Sequence, residues 1–116
     1  MFDYVRIMDG YTESGEHVPN TRFKCPAGHD LKEVDFQTKD FGCTLGMVEI
    51  YPDEVRFAPQ YDIAGAETVG TGTFNVYASC KPCEPGDKSW SGLWCEFEMV
   101  LKDWKIVSVK LTESSY

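Results

Sequence analysis

Two short segments hold the residues best able to do chemistry. "RFKCPAGHDL", residues 22–31, brings a cysteine, a proline, a glycine and a histidine within five positions, and "SCKPCEP", residues 79–85, carries a second pair of thiols. Zinc takes four tetrahedral N or S ligands, and ligand pairs two to four residues apart let one tight bend supply two of them. Cys80 and Cys83 satisfy this as C-x2-C, and Cys25 and His29 as C-x3-H. Pro26 stiffens the first bend and Gly28 accepts a positive φ, so that backbone N–H groups turn toward the sulfur. The pattern predicts a structural Zn2+ held by Cys25, His29, Cys80 and Cys83, a zinc-ribbon-like clamp joining two turns.

Other readings of the same residues stay open. The gap between the pairs is far longer than in a compact ribbon, which a folded insert would explain. Cys80 and Cys83 also read as ordinary strand-end and loop thiols, with His29 a surface histidine. A redox C-x2-C normally sits where a helix N-terminus lowers the thiol pKa, whereas "CKPCEPGD" leads into a Gly and Pro loop. Cys95, between Leu93 and Phe97 on one strand face, reads as a small core hydrophobe and is the substitute ligand should His29 point away. Cys43, in "FGCTLGM", reads as buried.

These turns need elements to hold them, and the chain offers strands. Leu93, Cys95, Phe97, Met99 and Leu101 alternate with Trp94, Glu96 and Glu98, the pattern of a half-buried antiparallel strand. "KIVSVKL" follows a short "KDW" turn and predicts a C-terminal hairpin, with Lys105, Val107, Val109 and Leu111 on one face and Ile106, Ser108 and Lys110 on the other. "GMVEIYPDEVRFAP" predicts a second hairpin turning at Pro52, Asp53 and Glu54. "FDYVRIM", "EVDFQTKDF" and "GTFNVYASC" add three more strands. A single helical turn over residues 38–45 is conceivable, but Gly42 and Gly46 oppose anything longer. The expectation is an all-β, mainly antiparallel fold of six or seven short strands, residues 1–116 forming one domain.

Seven Phe, six Tyr and three Trp in 116 residues exclude a disordered chain. Nineteen acidic against eleven basic residues give a net charge of -8. That balance argues against phosphate-backbone binding, which depends on Lys and Arg, and suits a protein partner with a basic surface. "MFDYVRIMDG" shows no signal-peptide pattern and no run nears the roughly 18 apolar residues of a membrane span, so a cytoplasmic location is expected.

"FQTKD" followed by Cys43, the "MFD" start and the two metal-type turns resemble small uncharacterised proteins of phage and prophage origin. The likeness covers residues 1–3, residues 36–40, Cys43 and the two turns, about a third of the chain, and fades over residues 53–79. It implies a mobile-element setting, hence the host cytosol, and no reaction.

Three function classes compete. An interaction module is favoured by the acidic charge and by long loops and hairpin tips bearing Tyr11, Tyr61, Trp90, Asp53 and Glu54, with Lys39 a secondary contact; exposed aromatics suit binding hot spots. A zinc-ribbon nucleic-acid binder would use Lys102, Lys105 and Lys110 around Trp104 as a stacking platform. An enzyme would depend on His17 or on Glu96 and Glu98, and neither a phosphate loop nor a nucleophile elbow is present. The reading taken forward is a small acidic metal-clamped interaction module, without enzymatic activity, of the kind a phage would use to inhibit a host defence or nucleic-acid-processing complex.

Overall fold

The computed structural model describes residues 2–32, 34–65, 69–79 and 94–114. Among these the regular elements are nine strands: β1 (Asp3–Ile7), β2 (Gly10–Tyr11), β3 (His17–Val18), β4 (Phe36–Thr38), β5 (Met47–Ile50), β6 (Val55–Ala58), β7 (Gly72–Ser79), β8 (Trp94–Lys102) and β9 (Lys105–Ser114). Seven form one sheet in the order β6-β5-β1-β4-β7-β8-β9, and β2 and β3 form a separate small hairpin within residues 9–21. All neighbours are antiparallel except β1 and β5, which run parallel. No helix of the described residues is long and apolar enough to cross a membrane.

Alternation builds the inner face. Phe74, Val76 and Ala78 of β7 and Cys95, Phe97, Met99 and Leu101 of β8 are buried, as are Val5 and Ile7 of β1 and Val48 and Ile50 of β5. The sheet curls around these side chains until its two edges meet. The Val55 N–H donates to the Trp104 carbonyl at 2.8 Å and the Ile106 N–H to the Asp53 carbonyl at 2.9 Å, so Glu54 faces Lys105 as a bridge between β6 and β9. Closing a sheet this way leaves less unpaired edge to recruit other chains.

Strand β9 corrects the expected alternation. Ile106 pairs with Leu101 but Ser108 pairs with Val100, which leaves Val107 as an extra residue, and Thr112 is skipped in the same way between Leu111 and Glu113. A β-bulge moves every later side chain to the opposite face. Ile106, Val109 and Leu111 therefore pack on the core, while Val107 is 62% exposed.

Residues 38–45 contain no helical turn. The loop instead carries positive φ at Gly42, Cys43 and Leu45, wrapped around the Asp3 side chain. Oδ1 of this fully buried carboxylate accepts the N–H groups of Thr44 at 3.0 Å and Gly46 at 2.8 Å and the Thr44 hydroxyl at 3.2 Å; Oδ2 accepts the Cys43 N–H at 3.0 Å. Strained backbone persists where surrounding bonds over-determine it. Cys43 is only half-buried, with its Sγ donating to the Lys39 carbonyl at 3.2 Å. The turn that points it there also keeps it out of the core.

Candidate metal centre

The "CPAGH" segment folds as the closed end of a small hairpin. The Leu31 N–H donates to the Phe23 carbonyl at 3.0 Å, the Cys25 N–H to the His29 carbonyl at 3.1 Å and the Gly28 N–H to the Cys25 carbonyl at 2.8 Å, with Lys24 bridged to Asp30 between them. Gly28 takes φ +91, a conformation that L side chains resist. Phe23 and Leu31 anchor the legs in the core; the Phe23 ring meets Phe36 and Phe97 edge-on, with centroids 5.8 and 5.2 Å away. The sequence thus places a rigid bend on a buried aromatic foundation.

The bend brings Cys25 Sγ and His29 Nδ1 to 3.2 Å, and the His29 backbone N–H donates to the same sulfur at 3.3 Å. Two ligands of one tetrahedral zinc, with bonds near 2.3 and 2.0 Å, stand about 3.5 Å apart. The pair therefore fits as half of a zinc shell. The same separation also suits a thiol to imidazole hydrogen bond. Cys80 and Cys83, the other expected ligands, lie outside the described residues, and so does Trp90. Among the described residues no group of three or more His, Cys, Asp or Glu is arranged to hold a metal ion. Cys95 is fully buried on the inner face of β8, opposite Ala78.

The expected partner contacts fall into separate places. Tyr11 is 72% exposed and lines a groove of about 260 Å3 with Gly10, Thr12, Val18, Pro52 and Asp53, so the structure unites Tyr11 with Asp53. Glu54 is already engaged, by Arg56 at 3.2 Å and Lys105 at 3.6 Å. Tyr61 stands alone on the loop after β6, 61% exposed, and Lys39 is exposed at the end of β4. Trp104 is half-buried, its ring near Phe41 and Phe57 at 6.4 and 6.5 Å, which removes it from any open stacking platform with Lys102, Lys105 and Lys110.

Sequence reasoning missed a polar junction beside that groove. Asp9 accepts from His17 Nε2 at 2.7 Å, Lys32 Nζ at 3.0 Å and the Asn20 N–H at 2.9 Å. The backbone bond from Asn20, then the bonds from His17 and Lys32, hold its carboxyl well below the usual carboxylate range. Asn20, itself buried, donates from Nδ2 to the Met8 and Ile50 carbonyls at 3.2 and 3.1 Å, tying the ends of β1 and β5. His17 thus clasps the base of the β2–β3 hairpin through Asp9, and Asn20 ties that base to the sheet. The only signal for this was a run of polar residues in a long loop.

Set against known proteins, the chain matches no family model, no curated protein and no solved structure.

Proposed function

We propose that the protein is an acidic interaction module, clamped by a structural zinc ion, that binds a protein partner through a basic surface on that partner. The observation that carries the interaction reading is the set of aromatic side chains left outward on a chain of charge -8: Tyr11 at 72%, Tyr61 at 61% and Tyr4 at 48% exposure. Such rings supply large contact area at low entropic cost, and the charge steers a basic partner toward them. The resemblance to phage proteins makes a bacterial defence or nucleic-acid-processing complex the target class. The clamp reading is supported by the Cys25 and His29 geometry. Zinc bound there would contribute to folding; with Cys80 and Cys83 completing the shell, no coordination position is left for water.

Two measurements test the two parts. Elemental analysis of purified protein is expected to find one zinc per chain, lost in Cys83→Ser together with a marked drop in Tm; equal melting with and without a strong chelator removes the clamp. Affinity capture from bacterial lysate is expected to recover a basic protein more strongly at low than at physiological salt. No specific capture at either salt removes the interaction reading.

A further inference from the structure

The groove beside the β2–β3 hairpin is built from parts that the fold holds still. Its walls come from far apart in the chain, Tyr11 and Val18 from the hairpin and Pro52 and Asp53 from the turn after β5. Gly10 lets them close: a Cβ there would stand 3.1 Å from Pro52 Cδ, tighter than ordinary van der Waals contact. The turn is closed by the Tyr51 N–H donating to the Glu54 carbonyl at 2.8 Å, and tied to β9 by the Ile106 N–H donating to the Asp53 carbonyl at 2.9 Å. Across the hairpin Tyr11 pairs with His17, ring centroids 5.7 Å apart, and His17 is held by Asp9. A groove with walls fixed in this way loses little ordering entropy when a side chain enters it.

The acid in this groove is left over. Among the described residues the exposed Asp53 carboxylate forms no ion pair, and the cations of its turn and of the facing strand, Arg56 and Lys105, are both held by Glu54. The same turn shows what a ring and a carboxylate hold together. Arg56 lays its guanidinium 4.5 Å from the centroid of the Tyr51 ring, while its Nη2 donates to Glu54 Oε1 at 3.2 Å. A planar cation stacks on an aromatic face while its N–H fork bonds the acid. The groove offers a second ring, Tyr11, and a second carboxylate, Asp53, with no cation of the described residues on that acid.

At about 260 Å3 the groove is smaller than the roughly 300 to 1,000 Å3 that encloses a drug-sized ligand, a size suited to one side chain presented by a larger molecule. We infer that the groove between Tyr11 and Asp53 is the docking site for an arginine side chain of the protein partner, its stem against Val18 and Pro52 and its guanidinium on the ring and the carboxylate. This rests on the interaction reading above and gives it an address: the seam between the β2–β3 hairpin and the turn joining β5 to β6.

The probe is N-acetyl-arginine amide, titrated at low salt into isotope-labelled protein and followed by amide NMR, with the lysine and citrulline analogues as comparisons. Saturable shifts are expected at residues 10–12 and 53–54. The lysine analogue should bind at least about threefold more weakly, and the neutral citrulline analogue should give no saturable shift. Asp53→Asn and Tyr11→Leu should each weaken the arginine probe at least about threefold, while Asp35→Asn, before β4, leaves it unchanged. Retained Tm and an unchanged amide spectrum away from the groove show that the variants are folded. Shifts that do not saturate, saturable shifts only elsewhere, equal binding of the citrulline analogue, or unchanged affinity in either groove variant overturn the site. A basic partner captured equally by wild type and the Asp53→Asn, Tyr11→Leu double variant also sinks the site, yet leaves the interaction reading standing; failure of that reading is instead the absence of any captured partner.

Discussion

Strands β7, β8 and β9 run 8, 9 and 10 residues and pair in the order in which the chain makes them, whereas β1, β4, β5 and β6 run only 3 to 5 residues and, apart from the β5–β6 hairpin, pair out of order. The long half is a meander whose neighbours are close in sequence. The short half must bring β1 to β5 across some forty residues and in parallel, so loop closure costs entropy before any contact offsets it. The difference shows in what each half uses beyond its ladder. The meander relies on strand pairing and inward alternation. The short half adds buried polar side chains: Asp3 binds the loop before β5, Asn20 ties the ends of β1 and β5, and Thr38 at the end of β4 reaches across to β7.

The two halves touch at two seams. One is the bridge from β6 to β9 through the Asp103 and Trp104 turn, where both residues take positive φ. The Trp104 N–H donates to the Gly70 carbonyl at 2.9 Å while its own carbonyl accepts from Val55. The other seam is β4 against β7, where the ladder shrinks to the pair Gln37 and Tyr77. Side chains extend it: the Thr38 hydroxyl donates to the Asn75 carbonyl at 2.6 Å and Asp40 Oδ2 accepts the Asn75 N–H at 2.7 Å.

The contrast is most severely tested at Asp3. Asp3→Ala leaves three backbone N–H donors in a buried pocket without an acceptor and should cost at least about 3 kcal/mol, since each orphaned donor costs about 1 to 3. Urea unfolding measures it, and a loss near zero would mean the short half does not depend on this carboxylate. Hydrogen exchange on the same variant should show residues 36–50 opening well before β8.

At the first seam, Gly70 has φ +64 and a Cβ there would land on the Trp104 indole. Gly70→Ala should lose about 2 to 3 kcal/mol through strain and overpacking. Adding Trp104→Ala should relieve part of that loss, so the double variant falls short of the sum of the two singles. Strict additivity would separate the turn from the seam. At the second seam, Thr38→Val keeps the shape but removes the bond to Asn75, for about 1 to 2 kcal/mol, read as a shift in the urea midpoint with an unchanged slope.

Asp9 lies outside both halves and should matter least near neutral pH. Its folded pKa is depressed below the ordinary 3.8, so its contribution to stability is present above about pH 4 and is lost as pH falls through the folded value. Asp9→Asn should therefore flatten the stability profile below pH 4 and lower Tm at pH 7 by less than the substitutions above. A profile as steep as the wild type would assign the acid sensitivity to other carboxylates.

Much of this half-to-half contrast was readable from residue order. All seven strands of the main sheet lie within runs of alternating or β-branched residues, and the turn at Pro52 to Glu54 reads directly from its composition. Phe97, Met99 and Leu101 declare their inward face by period alone. The two-residue strands β2 and β3 do not, because a pair that short carries no period. The phase of β9 is also hidden: Val107 looks like its apolar neighbours, and only the ladder with β8 reveals it as a bulge. Asp3 reads as one more acid in an acidic chain until three backbone donors are seen around it. Of the site, the spacing of Cys25 and His29 announced a shared bend, while the union of Tyr11 with Asp53 and the row from Tyr4 to Glu96 required strand order.

Residue types and their local periodicity determined that this chain makes strands, where most of them run, which faces turn inward and that a cysteine and a histidine share one rigid turn, because those properties depend on neighbours a few positions away. The tertiary structure alone decided that β1 pairs with β5 in parallel, that the sheet curls until Glu54 meets Lys105, that Trp104 is packed rather than presented, and that Tyr4, Gln37, Tyr77 and Glu96 fall in one row across four strands. Each of these is a contact between segments tens of residues apart, settled by which burial and hydrogen bonding offset the entropy of bringing them together.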